Sequence, residues 1–147
     1  MLPGLLTQFL LTQGIEIFNY LDKIPNHCFL CSSLDQISIP KNIVEIGVSA
    51  FKETQLTEIT IPGNVKIINT YAFKECYNLK EVIIEEGVEQ IHSDAFSKIG
   101  SYSEIYLPNS IDIISSPNFD DDTVIYCHRN SYAEKWCLEK GVIIGIY

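Results

Sequence analysis

The chain has 147 residues, 46% hydrophobic and 20% charged, a balance that predicts one folded domain with a sizeable core. Ten Lys and Arg against nineteen Asp and Glu leave a net charge of −9, which argues against direct nucleic-acid binding, since neutralising phosphates takes clustered cations. A charged partner, if there is one, should be basic.

The first segment, "MLPGLLTQFLLTQG", is apolar but carries no Lys or Arg, opens on Pro3 and Gly4, and has no small-residue cleavage site after it. It therefore does not read as a secretory signal. Leu2, Leu5, Leu6, Phe9 and Leu10 read instead as a short helix over residues 1–11 that ends before Gly14 and caps the N-terminal end of the fold. No stretch reaches the ~18 apolar residues that a membrane-spanning helix needs, so no membrane insertion is expected. As written, the chain reads as cytoplasmic; as an excerpt, with an export signal elsewhere in its gene, it reads as secreted or surface-bound.

Residues 12–122 repeat one pattern in five units of 22–23 residues. A strand column runs Ile17, Ile39, Ile61, Ile84 and Leu107, and a ring column runs Phe29, Phe51, Phe73, Phe96 and Phe119. Two further apolar columns run Leu21, Ile43, Val65, Val88, Ile111 and Ile24, Ile46, Ile68, Ile91, Ile114. Self-similarity at this period is the mark of a solenoid. In each unit an apolar/polar alternation such as Ile59-Thr60-Ile61 predicts a short strand with one buried face. Pro40, Pro62 and Pro108 end three of these strands, because proline offers no N–H to a ladder. A second short stretch such as Val65–Ile68 turns the chain back, and the Ala-Phe pair then inserts its ring. No unit can bury its apolar face alone, so the units must stack as parallel strands ~4.8 Å apart.

Residues 123–147 read as a closing unit with a helix over 131–140. Ser131 is placed as N-cap with Glu134 three residues on, and Gly141 as the stop. Tyr132, Ala133, Trp136 and Cys137 are placed together on the covering face.

The motif L-x-x-I-x-I-P…V…I-G…A-F…C resembles the BspA-type (Treponema-type) leucine-rich repeat of bacterial and protozoan surface proteins, and "NSYAEKWCLEKGV" is similar to the unit that often closes such arrays. The resemblance implies a leucine-rich-repeat solenoid of short parallel strands, turns and helical terminal caps. It implies protein binding or adhesion, with no catalytic residues and no cofactor. Two positions depart from the motif: Ile17-Phe18 stands where Ile-Pro is usual, and Asn118 occupies the Ala slot.

Other constellations read better as structure than as chemistry. His27, Cys28 and Cys31 have metal-ligand spacing, but a closed zinc site needs a second pair. The five cysteines, an odd set without disulfide-framework spacing, read as reduced and buried, with Cys28 and Cys76 in inward slots. Cys127, His128 and Cys137 could form a reactive pair or a disulfide, and read better as packing groups. His92-Ser93-Asp94 cannot form a nucleophile–base–orienter set, which joins distant segments, and reads as a turn. Asp120–Asp122 lack the alternation of a calcium loop and read as solvated.

Two columns carry the functional expectation. Gln36, Glu58, Glu81 and Glu104 fall in one, and Glu16, Ser38, Thr60, Ile83 and Tyr106 in the outward position beside it. Stacked like charges repel by a few tenths of a kcal/mol to about 1 kcal/mol each. An acidic face with Ile83 and Tyr106 exposed beside it predicts a docking site for a basic protein, with Glu16, Glu58, Glu81, Ile83, Glu104 and Tyr106 as candidates. The alternative is a small acidic intracellular inhibitor, borne by a phage or mobile element, that occludes a basic nucleic-acid-binding partner.

Overall fold

The computed structural model describes residues 20–146, with the side chain of Ile146 excluded. Glu16 and the helix expected over residues 1–11 lie outside the described residues.

Two parallel five-stranded sheets run along one stack. Sheet A is built from two-residue strands: β1 (Lys23–Ile24), β2 (Glu45–Ile46), β4 (Ile67–Ile68), β6 (Gln90–Ile91) and β8 (Ile113–Ile114). Sheet B contains β3 (Glu58–Ile61), β5 (Glu81–Ile84), β7 (Glu104–Tyr106), β9 (Val124–Cys127) and β10 (Ile143–Ile146). The repeat columns become rungs: Ile24, Ile46, Ile68, Ile91 and Ile114 are all buried and lie in register across sheet A. Ile59, Val82, Ile105 and Ile125 do the same across sheet B. The phenylalanines stack between the sheets at centroid distances of 5.2, 5.1, 5.2 and 6.3 Å, with Ala50, Ala72 and Ala95 fully buried beside them.

The segment that carries each ring is neither helix nor strand, yet it hydrogen-bonds from coil to coil. It does so by placing two non-glycine residues per unit in the left-handed region. His27, Ser49, Tyr71 and Asp94 have φ of 54–62°, and four residues on, Cys31, Glu53, Glu75 and Lys98 have φ of 55–62°. Such a conformation costs an L-residue about 1 kcal/mol or more. Here it turns the N–H toward the next coil: Ser49 N–H donates to Thr70 O, Tyr71 to Ser93 O, and Glu53 to Lys74 O at 3.0–3.2 Å. Phe29, Phe51 and Phe73 donate likewise to the carbonyls of Ala50, Ala72 and Ala95. Phe96 is the exception, and Asn118 supplies the reason. Its Oδ1 accepts the Phe96 N–H at 3.1 Å, while its amide donates to His92 O and Ser115 O. The residue that departs from the Ala slot ends the ladder with a side-chain acceptor.

The stack is closed at its last coils by α1 (Tyr132–Lys140). Ser131 Oγ accepts the Glu134 N–H at 3.0 Å, and Gly141 takes φ 70° at the other end. The Glu134 carboxylate accepts from the Asn130 N–H rather than from Ser131, so the box is shifted by one residue. Ala133, Trp136 and Cys137 are buried, but Tyr132 is exposed, which corrects its placement on the covering face. Trp136 meets Phe119 edge to face at 5.6 Å and so terminates the ring stack.

Three further expectations change. Cys31 is exposed and Cys28 only half-buried, whereas Cys76, inside the stack, is fully buried with its Sγ 3.0 Å from Phe51 O. Asp120 and Asp122 are not merely solvated: each carboxylate accepts a backbone N–H from the coil before, Ile99 and Tyr102 respectively. Gln36–Ile39, in the strand columns, forms no strand, and Leu34 O, accepting from Gln55 N–H, is the last bond that ties its coil to the next before the segment begins.

Candidate functional site: the outward face of sheet B

Residues alternate in and out along a strand, so the outward face of sheet B is set by two columns. Pairing places Glu58 beside Glu81, Glu81 beside Glu104, and Glu104 beside Val124. The second column runs Thr60, Ile83, Tyr106, Tyr126 and Gly145. The structure thus brings Glu58, Glu81, Ile83, Glu104 and Tyr106 onto one surface.

Their exposure is graded. Glu58 and Ile83 are exposed, Ile83 at 38%, whereas Glu81, Glu104 and Tyr106 are half-buried. The expectation of an exposed Tyr106 is corrected by Tyr126, whose ring stacks on it at 4.7 Å with 9° between the planes. Both hydroxyls donate to one carboxylate: Tyr106 to Glu104 Oε2 at 3.0 Å and Tyr126 to Glu104 Oε1 at 3.3 Å. The same contact raises the Tyr106 phenol pKa, since its hydrogen bond to the Glu104 carboxylate favours the protonated form, and burial adds to it. Glycine at 145 makes room for the pair, because a Cβ there would sit 2.3 Å from the Tyr126 ring. Tyr126 escaped the repeat columns because it follows Tyr106 by 20 residues rather than 22 or 23. The alternation Val124-Ile125-Tyr126-Cys127 was its one available signal.

Some of the charges elsewhere are paired. Among the described residues Lys23 pairs with Glu45 at 2.6 Å, Lys66 with Glu89, Lys74 with Asp94, and Lys52 and Lys98 converge on Glu75. The hydrogen bond from Lys98 and the salt bridge to Lys52 lower the Glu75 pKa, and Lys23 does so for Glu45. None of the ion pairs among the described residues uses Glu58, Glu81 or Glu104. Beside them the face is hollowed into an open groove of about 650 Å³, walled by Ser38, Glu58, Thr60, Pro62, Glu81 and Ile83.

The remaining chemical candidates stay apart. His92, Ser93 and Asp94 occupy one turn, where His92 Nε2 lies 3.3 Å from Gln90 Oε1 and Asp94 accepts from Lys74 and Ser97. No three His, Cys, Asp or Glu side chains among the described residues converge as metal ligands. Burial raises the thiol pKa to about 11 at Cys28 and about 12 at Cys137. No helix among the described residues is long and apolar enough to cross a membrane.

A family described as "BspA type Leucine rich repeat region" matches residues 8–126 in six copies, so the match runs on through most of β9. Among solved structures, the chain is similar to a leucine-rich repeat protein from Bacteroides ovatus ATCC 8483, with 21% identity and a TM-score of 0.39. That likeness covers 86% of this chain and 43% of the Bacteroides chain, so this chain spans less than half of it. No curated protein matches.

Proposed function

The chain belongs to the BspA-type leucine-rich-repeat family, and on that premise we propose that it is a non-enzymatic protein-binding module of the adhesion or ligand-binding type. Its site is the outward face of sheet B, and its partner presents a basic surface. The observation that carries this reading is the column Glu58, Glu81, Glu104, held in one register with no Lys or Arg among the described residues paired to any of the three.

The physical logic has two parts. Stacked carboxylates repel one another until a cation arrives, so a basic partner gains both attraction and relief of that repulsion. The tyrosine pair and Ile83 supply flat apolar area, and an aromatic face also attracts Arg or Lys through its quadrupole. Aromatic groups at the centre with charges at the rim is the usual division of labour at a protein interface.

Capture of partners by the native protein, side by side with the Glu58→Lys/Glu81→Lys/Glu104→Lys variant, tests the proposal. The native protein should retain a basic partner that the variant misses, and retention should weaken as salt rises toward 1 M, where screening acts over ~3 Å. A partner retained equally by both proteins overturns the assignment of this face. A partner displaced by DNA or RNA would identify it as a nucleic-acid-binding protein and favour the inhibitor role.

A further inference from the structure

A second concavity lies away from sheet B, between the last repeat turn and the closing helix. It is a groove of about 500 Å³ whose walls include Pro117, Asp120, Asp121, Trp136, Lys140 and Val142. That volume is within the range of small-ligand sites.

Its chemistry is unspent. Trp136, the one tryptophan in the chain, is only 8% exposed, and its indole N–H has no hydrogen-bond partner among the described residues. Among the described residues the only side-chain polar atom both sealed from solvent and unpartnered is Thr123 Oγ1, so the indole N–H is not sealed; Trp136 meets solvent where it lines the groove. A ligand acceptor in the groove would take the place of solvent on this donor. The Asp121 carboxylate and the Lys140 ammonium are exposed at the rim, and neither has a hydrogen bond or ion pair among the described residues. Asp120 uses Oδ2 on the Ile99 N–H, which leaves its other oxygen available. The Asn118 amide is committed at both ends to closing the coil ladder and contributes nothing further.

The groove thus offers both donors and acceptors, beside the apolar Pro117 and Val142. The indole and Lys140 need acceptors, while Asp120 and Asp121 need donors. A hydroxyl is both on one atom, so a ring bearing several hydroxyls matches the whole set without a formal charge. A simple anion would face two carboxylates, and a simple cation would face the ammonium. The apolar C–H face of such a ring would lie on Pro117 and Val142. We propose that this groove is a saccharide-binding site, in which a sugar hydroxyl accepts from the Trp136 indole N–H and others donate to the Asp121 and Asp120 carboxylates.

Because Trp136 is the sole tryptophan, it reports on its own groove. The experiment titrates the full chain with the methyl glycosides of glucose, galactose, mannose and N-acetylglucosamine. Trp136 fluorescence and the ¹H–¹⁵N resonance of its indole are followed, with glycine and sodium acetate as zwitterionic and anionic controls. At least one glycoside should produce a saturable change in both signals. The Asp121→Ala variant, altered at an exposed position and so expected to keep the native Tm, should bind that glycoside about tenfold more weakly. Silence of the indole toward every glycoside, a stronger response to glycine or acetate, or unchanged affinity in the variant would each overturn the assignment. None of these outcomes bears on the glutamates of sheet B.

Discussion

Asn118 shows how one residue can end a repeat. It occupies the slot that is alanine in three preceding coils, is 1% exposed, and replaces the backbone carbonyl that Phe96 would otherwise meet. Asn118→Ala should cost roughly 1–3 kcal/mol, since it takes the acceptor from the Phe96 N–H and the amide donor from the Ser115 carbonyl; a denaturant midpoint reads the loss. The cysteines make a second residue-scale prediction. In native protein at neutral pH, iodoacetamide followed by mass spectrometry should modify Cys31 first and reach buried Cys76 and Cys137 only on unfolding. Burial also ties Cys137 to the pH dependence of stability. It raises the Cys137 pKa from 9.0 to about 12, so the folded form holds the proton more tightly than the unfolded form. The contribution is therefore fully present below pH 9 and is lost as pH climbs from there toward 12, and the chemical-denaturation midpoint should fall on the alkaline side.

At the scale of the element, the ring stack is a continuous feature of the core. Phe73 has a ring on each side, at 5.1 and 5.2 Å, and is fully buried, so Phe73→Ala should cost roughly 3–5 kcal/mol by thermal or denaturant unfolding. Much of this element structure was legible in the sequence. The four columns through Ile39, Phe51, Val65 and Ile68 predicted most of the buried positions, because a solenoid writes its core at a fixed period; Leu21, exposed, and Phe119, half-buried, depart from them. Two things were illegible for physical reasons. The left-handed positions His27, Ser49, Tyr71 and Asp94 use residues without a common type, since the conformation is held by coil-to-coil hydrogen bonds rather than by side-chain identity. Sheet B also continues past the last full repeat into β9 and β10, where the spacing shortens and the columns lose register. The candidate face was accordingly readable through Tyr106, but its partner Tyr126 was not.

For the whole molecule, none of the ion pairs among the described residues involves the glutamates of sheet B. Sheet A carries pairs such as Lys23–Glu45, and Lys66–Glu89 lies beside it, while sheet B presents glutamates without cations next to stacked tyrosines. A module that docks a basic protein on sheet B should make contact there and leave sheet A free. The most direct test places a photo-crosslinking residue at Thr60, outward on β3, or at Val44, exposed beside β2, and irradiates each with the captured partner. The account predicts a crosslinked product from position 60 and none from position 44. Crosslinking from 44 alone, or equally from both, would contradict it.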